Sequence, residues 1–217
     1  MAALTLWGRR SSFNVQKVAW LIGELAIDHQ HIEAGGSFGG LDSAEFTAMN
    51  PHRKVPVIRD GDAVVWESHT ILRYLAARYA RDRFWHPDPA KRALAEQWMD
   101  WSQTALQPAF LNGIFWGYYR TPAAQRDTAA IEASLERCNA CMRKLDRQLD
   151  GSRYLLGEEF SLADIPAGCN LFRYFNLDIT RPDLPNVTAW YARLSERPAY
   201  REHVMLPFDD LFGRLQY

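Results

Sequence analysis

Residues 50–79 constrain the fold of this 217-residue chain more than any other segment. Within it, the tight-turn sequence at residues 60–62 separates two short apolar runs, residues 55–58 and 63–66, which predicts a β-hairpin. Ser68 then stands where a helix N-cap belongs, and apolar residues recur after it at helical spacing. The free N–H groups and the positive dipole end of such a helix would attract a carboxylate.

The residues before this segment add a β-α-β pattern. Residues 4–7 predict a strand, residues 14–25 an amphipathic helix and residues 29–33 a second strand. A glycine-rich loop at residues 35–40 and a short helix at residues 44–49 then lead into the hairpin. This order predicts a small sheet with helices packed against it.

Strand patterns stop after a proline-bearing connector at residues 84–90. Beyond it, apolar residues recur at helical spacing in two runs, residues 94–105 and 131–149. Pro122 stands near the start of the second run and Gly151 at its end, as is typical of helix termini. The change of period marks a domain boundary and predicts an all-helical second half.

The second half carries a helix-start signature at residues 160–165. Ser161 and Asp164 have the spacing of a capping box, in which each residue satisfies a backbone N–H of the other. We interpret this motif as structural. The predicted domains are therefore residues 1–82, built of strands and helices, and residues 91–217, built of helices alone.

Composition narrows the possible partners. The chain is 47% hydrophobic and 24% charged, with a formal net charge of -1 and interspersed acids and bases, so nothing favours nucleic acid or an anionic membrane. No apolar run approaches the roughly 20 residues that span a bilayer. The first residues lack the basic-then-apolar layout of a secretory signal. We expect a cytoplasmic protein with no nucleic-acid or membrane partner.

Cysteine and histidine usage gives no sign of a metal site or a disulfide framework. Cys138, Cys141 and Cys169 are odd in number, and the first two form a C-x-x-C inside a helical run. Redox pairs lie instead at strand-to-helix turns, so buried helix cysteines are the favoured interpretation over a redox pair. His29 and His31 share a strand face without an apparent third ligand, so no metal is predicted.

The motifs of residues 50–79 together resemble the glutathione-binding half of cytosolic glutathione S-transferases. The matching elements, in order, are Asn50-Pro51, Lys54, Val55-Pro56, Asp60-Gly61, Glu67-Ser68 and Tyr74-Leu75-Ala76. The capping box resembles the one in the family's core helix, so the resemblance covers nearly the whole chain. Within this family, the chain is similar to bacterial, serine-type members that are theta- or zeta-like. The resemblance implies an α/β thioredoxin-like N-terminal domain followed by an all-α C-terminal domain.

The resemblance places the chemistry in the loop between the first strand and the first helix. A free cysteine thiol has a pKa of about 8.5, so the task is to stabilise the thiolate of glutathione. Ser12 falls where serine-type members carry the activating hydroxyl; Ser11 is the alternative if the register slips by one, and Asn14 is a further candidate. On local sequence alone, these three residues also fit competing caps of the first helix.

Five residues are assigned to glutathione itself by the resemblance: Lys54, Val55, Pro56, Glu67 and Ser68. Val55 would pair through its backbone like an added strand beside a cis Val55-Pro56 bond. Glu67 would accept from the γ-glutamyl ammonium, Ser68 would bind the γ-glutamyl carboxylate, and Lys54 would pair with the glycyl carboxylate. Ser68 also fits a simple N-cap, and Lys54 also fits a solvated surface charge.

The second substrate is expected to be apolar and to lie between the halves. Phe115, Trp116 and Tyr119, in an unusually aromatic run, are the candidates for its pocket. The same aromatic stripe also fits plain core.

We therefore predict a transferase that activates glutathione, its co-substrate, as thiolate for attack on a hydrophobic electrophile, without a metal. A glutathione-dependent isomerase, dehalogenase or peroxidase on the same site and a non-catalytic glutathione-binding module are the alternatives. A thiol-disulfide enzyme would need cysteine at position 12, and Ser12 cannot form a mixed disulfide. The resemblance also implies a homodimer across the helix that begins at Ser68 and the helix that contains Trp98.

Overall fold

The structure is a computed structural model and describes residues 4–216. A sheet of four short strands organises the first part of the chain: β1 (Leu4–Trp7), β2 (His29–Ile32), β3 (Val57–Asp60) and β4 (Ala63–Trp66). Their spatial order is β2-β1-β3-β4, with β2 parallel to β1 and β3 antiparallel to both β1 and β4. The predicted small sheet is thus confirmed as a mixed sheet of the thioredoxin-like kind.

The hairpin differs from its prediction at its beginning. The ladder starts at Val57 rather than at Val55, because Pro56 has no N–H to donate to a neighbouring strand. At the other end Asp60 pairs directly with Ala63, so the turn consists of Gly61 and Asp62, with Gly61 at a φ of 61°.

Three helices pack with this sheet: α1 (Phe13–Glu24), α2 (Ala44–Met49) and α3 (Ser68–Tyr79). The predicted apolar face of α1 is buried, but Gln16, Lys17 and Trp20 on its other side are buried too. The reason is that α1 contacts α3 on one side and helices of the second half on the other. A periodicity argument that assumes one solvated face therefore underestimates the burial of this helix.

After Trp66 the described residues form helices and turns, apart from a single bridge between Tyr154 and Gly157. The helices of the second half are α4 (Pro89–Trp101), α5 (Thr128–Gln148), α6 (Asp164–Gly168), α7 (Leu171–Asn176), α8 (Pro185–Ser195) and α9 (Pro198–His203). The chain from α4 to α5 runs through two π-helical segments, Ser102–Leu106 and Pro108–Arg120. The expected all-helical character of the second half is confirmed.

Two predicted details of the second half differ. Helix α5 begins at Thr128, where the Asp127 side chain accepts from the Ala130 N–H, whereas Pro122 belongs to an earlier turn. In the capping box, the Asp164 carboxylate accepts from the Ser161 N–H at 2.9 Å as predicted. The Ser161 hydroxyl, however, accepts from the Ala163 N–H at 3.2 Å, because the Asp164 N–H donates instead to the Ser161 carbonyl, also at 3.2 Å.

Polar and aromatic contacts join the two halves along α1. Glu24 receives two short hydrogen bonds from the Arg197 guanidinium, 2.7 Å from Nε and 2.6 Å from Nη2. Trp20 is fully buried between Phe160 and Tyr200, both of the helical half. Cys138 and Cys141 are buried in α5, which confirms their interpretation as buried helix cysteines, and Cys169 is buried at the end of α6.

Candidate functional site

Gly8 lets the loop after β1 approach the hairpin. Its φ is 147°, and a Cβ at this position would lie 2.4 Å from Val15 Cγ2 and 3.0 Å from Val55 Cβ. Any side chain here would push the loop away from Val55. The Gly8 carbonyl accepts a hydrogen bond at 2.7 Å from Nε2 of His31, which gives this histidine a structural role.

Ser12 occupies the N-cap position of α1 in extended conformation, and its carbonyl accepts from the Gln16 N–H at 2.9 Å. Among the described residues, its hydroxyl makes no capping hydrogen bond. The interpretation that this side chain is consumed in capping α1 is therefore wrong. Ser12 is buried, with 8% of the residue exposed, yet it lines a cavity.

The Val55-Pro56 peptide bond is cis, as the resemblance implied. The turn before it is held by Asn50, which is 2% exposed. Its Nδ2 donates to the Lys54 carbonyl at 2.8 Å, and its Oδ1 accepts from the His52 N–H at 3.0 Å. The Asn-Pro motif thus fixes the backbone that presents Lys54 and Val55.

Helix α3 begins one residue earlier than predicted. Ser68 is its first helical residue, and Glu67 takes the N-cap position with a φ of 68° and a ψ of 116°. A positive φ at a residue with a side chain costs on the order of 1 kcal/mol, and such conformations cluster at ligand sites. Ser68 is buried, and its hydroxyl accompanies the free N–H groups of the first turn.

Two cavities meet at these elements. The loop cavity, of about 250 Å³, is lined by Arg9, Ser11, Ser12, Phe13, Asn14, Leu41, Arg53, Lys54, Val55, Leu111, Phe115, Trp116 and Arg173. The proline cavity, of about 190 Å³, is lined by Asn14, Asn50, Lys54, Val55, Pro56, Glu67, Ser68 and Gln103. Asn14, Lys54 and Val55 line both, so a ligand extended over them would enter each cavity.

All of the predicted site residues except Tyr119 line one or both cavities. Tyr119 stacks on Phe115, with ring centroids 5.4 Å apart, and lines a separate cavity together with Phe208 and Phe212. It therefore lies behind the wall that Phe115 and Trp116 form. Two of the three predicted aromatic residues, Phe115 and Trp116, therefore line the loop cavity.

Arg173 is a lining residue that the sequence did not indicate. It comes from α7, is 3% exposed, and its Nη2 donates to the Ser11 carbonyl at 2.8 Å. Its guanidinium carbon lies 4.6 Å from the centre of the Phe115 ring. Arg173 thus connects the aromatic wall of the helical half with the backbone of the Ser11–Ser12 loop.

Lys17 lies fully buried beneath the site. Its Nζ donates to Asn14 Oδ1 at 3.0 Å and to Gln107 Oε1, and it lies 3.3 Å from Nε2 of His69. Burial lowers the pKa of Lys17 to about 7, against the opposing influence of Cys169 and Glu67. Burial, with the nearby charges of Lys17 and Arg73, lowers the pKa of His69 to about 2, so His69 is neutral and accepts from the ammonium.

Residues 4–216 contain neither a candidate metal-binding cluster nor a helix that could span a membrane. No group of three or more His, Cys, Asp or Glu side chains in that range has an arrangement that could hold a metal ion. In the same range, every helix is too short or too polar to cross a bilayer.

Comparison with protein families assigns both parts of the chain. Residues 6–83 match the family model described as glutathione S-transferase, N-terminal domain, and residues 128–193 match glutathione S-transferase, C-terminal domain. The chain is 44% identical to glutathione S-transferase GstB of Escherichia coli strain K12, over 94% of this chain and 99% of the relative. It is 31% identical to glutathione S-transferase 1 of Manduca sexta, over 92% and 91% of the two chains.

Solved structures agree with this match. The fold superposes with a TM-score of 0.89 on the theta class glutathione S-transferase of Xanthomonas axonopodis pv. citri with glutathione bound. That enzyme is 44% identical to this chain, and the match covers 95% of this chain and 99% of the other. The glutathione transferase BmGSTD1 of Bombyx mori, at 22% identity and a TM-score of 0.86, shares the fold. The chain belongs to the glutathione S-transferase family.

Proposed function

We propose that this chain is a glutathione transferase that activates the thiol of glutathione, its co-substrate, as a thiolate and directs it at a hydrophobic electrophile. The observation that carries the proposal is the junction of the two cavities. Asn14, Lys54 and Val55 line both, and the Ser12 hydroxyl borders the loop cavity at the start of α1. A peptide and a second substrate can therefore meet beside a hydrogen-bond donor.

Glutathione would lie with its γ-glutamyl end in the proline cavity. Ser68 and the N–H groups at the start of α3 suit its carboxylate, because anions are stabilised at helix N-termini. Glu67, in the same cavity, suits its ammonium. The Val55 backbone, which lies outside the β3 ladder, is available to the cysteinyl part, and Lys54 to the glycyl carboxylate.

The thiol would then reach the loop cavity. A hydroxyl donor at Ser12 and the positive end of the 12-residue helix α1 both favour an anion there. Lowering a thiol pKa by about 2 units requires roughly 2.7 kcal/mol of preferential stabilisation of the thiolate. Ser12 is the proposed activating residue, since its hydroxyl is not engaged in capping, and Ser11 and Asn14 are its neighbours in the cavity.

The electrophile would lie against Phe115 and Trp116. These side chains belong to the π-helical segment Pro108–Arg120 of the helical half, whereas Ser12 belongs to the α/β half. The proposed division into residues 1–82 and 91–217 thus gives the thiol and the electrophile separate halves of one cleft. An apolar cleft of this kind would accept a broader range of ligands than the peptide site, because apolar contacts are less directional than hydrogen bonds.

Two measurements test the proposal. Retention of the protein on immobilised glutathione tests the peptide site, and mass spectrometry of products from a panel of aryl halides, isothiocyanates and peroxides tests turnover. The proposal predicts retention together with glutathione adducts of at least one carbon electrophile. Retention without any product would indicate a binding module. Consumption of peroxide or isomerisation without adducts would indicate the alternative reactions on the same site.

We also propose a cytoplasmic homodimer that forms through α3 and α4. Tyr79 and Leu94 on these helices are 41% and 50% exposed, and Arg73 of α3 already pairs with Glu96 and Asp100 of α4. The two helices therefore present one continuous surface with apolar residues. Light scattering after size-exclusion chromatography should give twice the chain mass, and a monomer would contradict this part of the proposal.

A further inference from the structure

We propose that Lys17 is a positioning residue of the site: it holds the Asn14 amide so that its NH₂ group faces the bound thiolate as a second donor beside Ser12. This inference rests on the proposed function, because it assigns a role in stabilising the thiolate. It makes Asn14 a partner of Ser12 rather than an alternative to it.

The hydrogen bonds around Asn14 fix which way its amide points. Its Oδ1 accepts from Lys17 Nζ at 3.0 Å and from Gln107 Nε2 at 3.4 Å. Both of these partners are hydrogen-bond donors. Gln107 can use only its NH₂ group toward Asn14, because its Oε1 accepts from the same Lys17 ammonium. An amide whose oxygen is taken by two donors must turn its NH₂ group the other way.

The other side of Asn14 is the cavity side. Asn14 lines the loop cavity and the proline cavity, whereas Lys17 is fully buried and lines neither. The NH₂ group is therefore presented where the two cavities meet, which is where the cysteinyl part of an extended tripeptide would lie. An N–H donor aimed at a thiolate favours the ionised form, because the hydrogen bond is stronger to the anion.

Lys17 can also act as the counter-ion of the thiolate, because the groups around it do not neutralise its charge. It is enclosed by Asn14 of its own helix, His69 of α3, Gln107 between the π-helical segments and the ring of Phe13 at 5.2 Å. The charged or titratable groups that act on it are His69, Cys169 and Glu67. His69 is neutral, and burial raises the pKa of the Cys169 thiol to about 12, so Cys169 is neutral as well. Glu67 is exposed, so most of its field is screened by solvent.

A buried cation in such a cluster responds to a new anion. Burial lowers the pKa of Lys17 to about 7, so its ammonium is held only marginally at neutral pH. A thiolate placed beside Asn14 would favour the charged lysine, and the charged lysine would favour the thiolate. Lys17 therefore couples to the thiol both through the orientation of Asn14 and through its charge.

The test is an absorbance titration of the thiolate of bound glutathione in four proteins: wild type, Lys17→Met, Asn14→Ala and the double variant. Lys17→Met keeps the length of the side chain and removes its donors and charge. The expected result is that each single variant raises the pKa of the bound thiol by about one unit. The double variant should raise the pKa by less than the sum of the two single effects, since without the Asn14 amide only the charge of Lys17 is left to act on the thiol.

Two controls separate this inference from a folding defect. S-methylglutathione has no ionisable thiol, so its affinity should be the same for wild type and Lys17→Met. Lys17→Gln, which restores a donor to Asn14 without the charge, should bring back part of the shift. Lys144→Met, at an exposed position of α5, is the matched control and should titrate as wild type does.

The outcomes distinguish this inference from the proposed function. If wild type shows no thiolate at neutral pH, the thiolate mechanism itself fails, and the role of Lys17 fails with it. If wild type shows the thiolate and Lys17→Met gives the same curve, only the inference is overturned. It is likewise overturned if the effects of Lys17→Met and Asn14→Ala simply add.

Discussion

The proline cavity and the loop cavity lie side by side but are constructed differently. Six of the eight residues that line the proline cavity come from one stretch of chain, between Asn50 and Ser68, which is held by a buried amide, a cis bond and a hairpin. The loop cavity is assembled from both halves of the molecule, and its wall residue Phe115 is supported from behind by the C-terminal segment. A site of the first kind suits one fixed ligand, and a site of the second kind suits a variable one.

This difference leads to distinct expectations for variants of the two cavities. Changes in the proline cavity should weaken glutathione binding and leave the rest of the fold intact. Changes behind the loop cavity should alter turnover and stability together, because the wall and the packing between the halves share the same side chains.

The largest effect is expected from Phe208→Ala. Phe208 is 6% exposed and packs against Phe115, Tyr119 and Phe172, with ring centroids 5.8, 5.2 and 5.8 Å away. Removing a buried phenylalanine ring costs about 3 kcal/mol or more. Urea unfolding should show this loss, and turnover of the electrophile should fall while glutathione affinity stays near that of wild type.

The matched control for this variant is Phe212→Ala, since Phe212 is in the same segment but is 58% exposed. It should change the free energy of unfolding by much less. An equal loss in both variants would show that the C-terminal segment does not support the wall of the loop cavity in the way described.

A smaller effect is expected from Ser68→Ala in the proline cavity. A hydrogen bond to a charged group contributes about 1.5–3 kcal/mol, so glutathione affinity should fall roughly tenfold or more in calorimetry. Stability should change little. Thr70→Ala, at an exposed position of the same helix, is the control. Unchanged affinity in Ser68→Ala would show that the γ-glutamyl carboxylate does not bind at Ser68.

The third prediction concerns the dependence of stability on pH, and its source is Lys17. Its pKa falls from an ordinary 10.5 to about 7 on folding, because burial disfavours the charged form. Between these two values the unfolded chain holds a proton on Lys17 that the folded chain has released. Stability from this group therefore rises with pH across the window, by at most about 1.4 kcal/mol per pH unit, and is lost as the pH falls towards 7.

Comparison of wild type with Lys17→Met isolates this contribution from all other titrating groups. The difference in their free energies of unfolding should shift in favour of wild type between pH 7.5 and 8.5. Both pH values, roughly one unit apart, lie between the pKa of Lys17 in the folded chain and its pKa in the unfolded chain. A difference that stays constant over this range would mean that Lys17 is not buried as an uncharged or marginally charged amine.

Most of the proline cavity was predictable from the sequence, because its residues are close together in the chain and each has a local signal. Asn50-Pro51, Val55-Pro56 and Glu67-Ser68 mark a turn, a bent peptide bond and a helix start in the correct order. The helix after it starts one residue from the predicted position, with Glu67 at the N-cap in a conformation of positive φ. The spacing of apolar residues does not predict such a backbone conformation.

The loop cavity was predictable only in part. Ser12, Phe115 and Trp116 have local signals, but Arg173 reaches the Ser11 carbonyl from another domain through a contact between residues 162 positions apart. Lys17 is similar, because a lysine on a helix is usually solvated and only the packing of α1 between two layers buries it. Long-range packing of this kind leaves no pattern in a single sequence.

The measurement that tests the central claim most directly is the pKa of the glutathione thiol bound to wild type and to Ser12→Ala, with Ser11→Ala as the neighbouring control. The account predicts that the bound thiol of wild type ionises well below the ordinary pKa of about 8.5, and that Ser12→Ala raises its pKa while glutathione still binds. Ser11→Ala should leave the titration close to that of wild type. An unchanged curve in Ser12→Ala, with glutathione bound, would contradict the account.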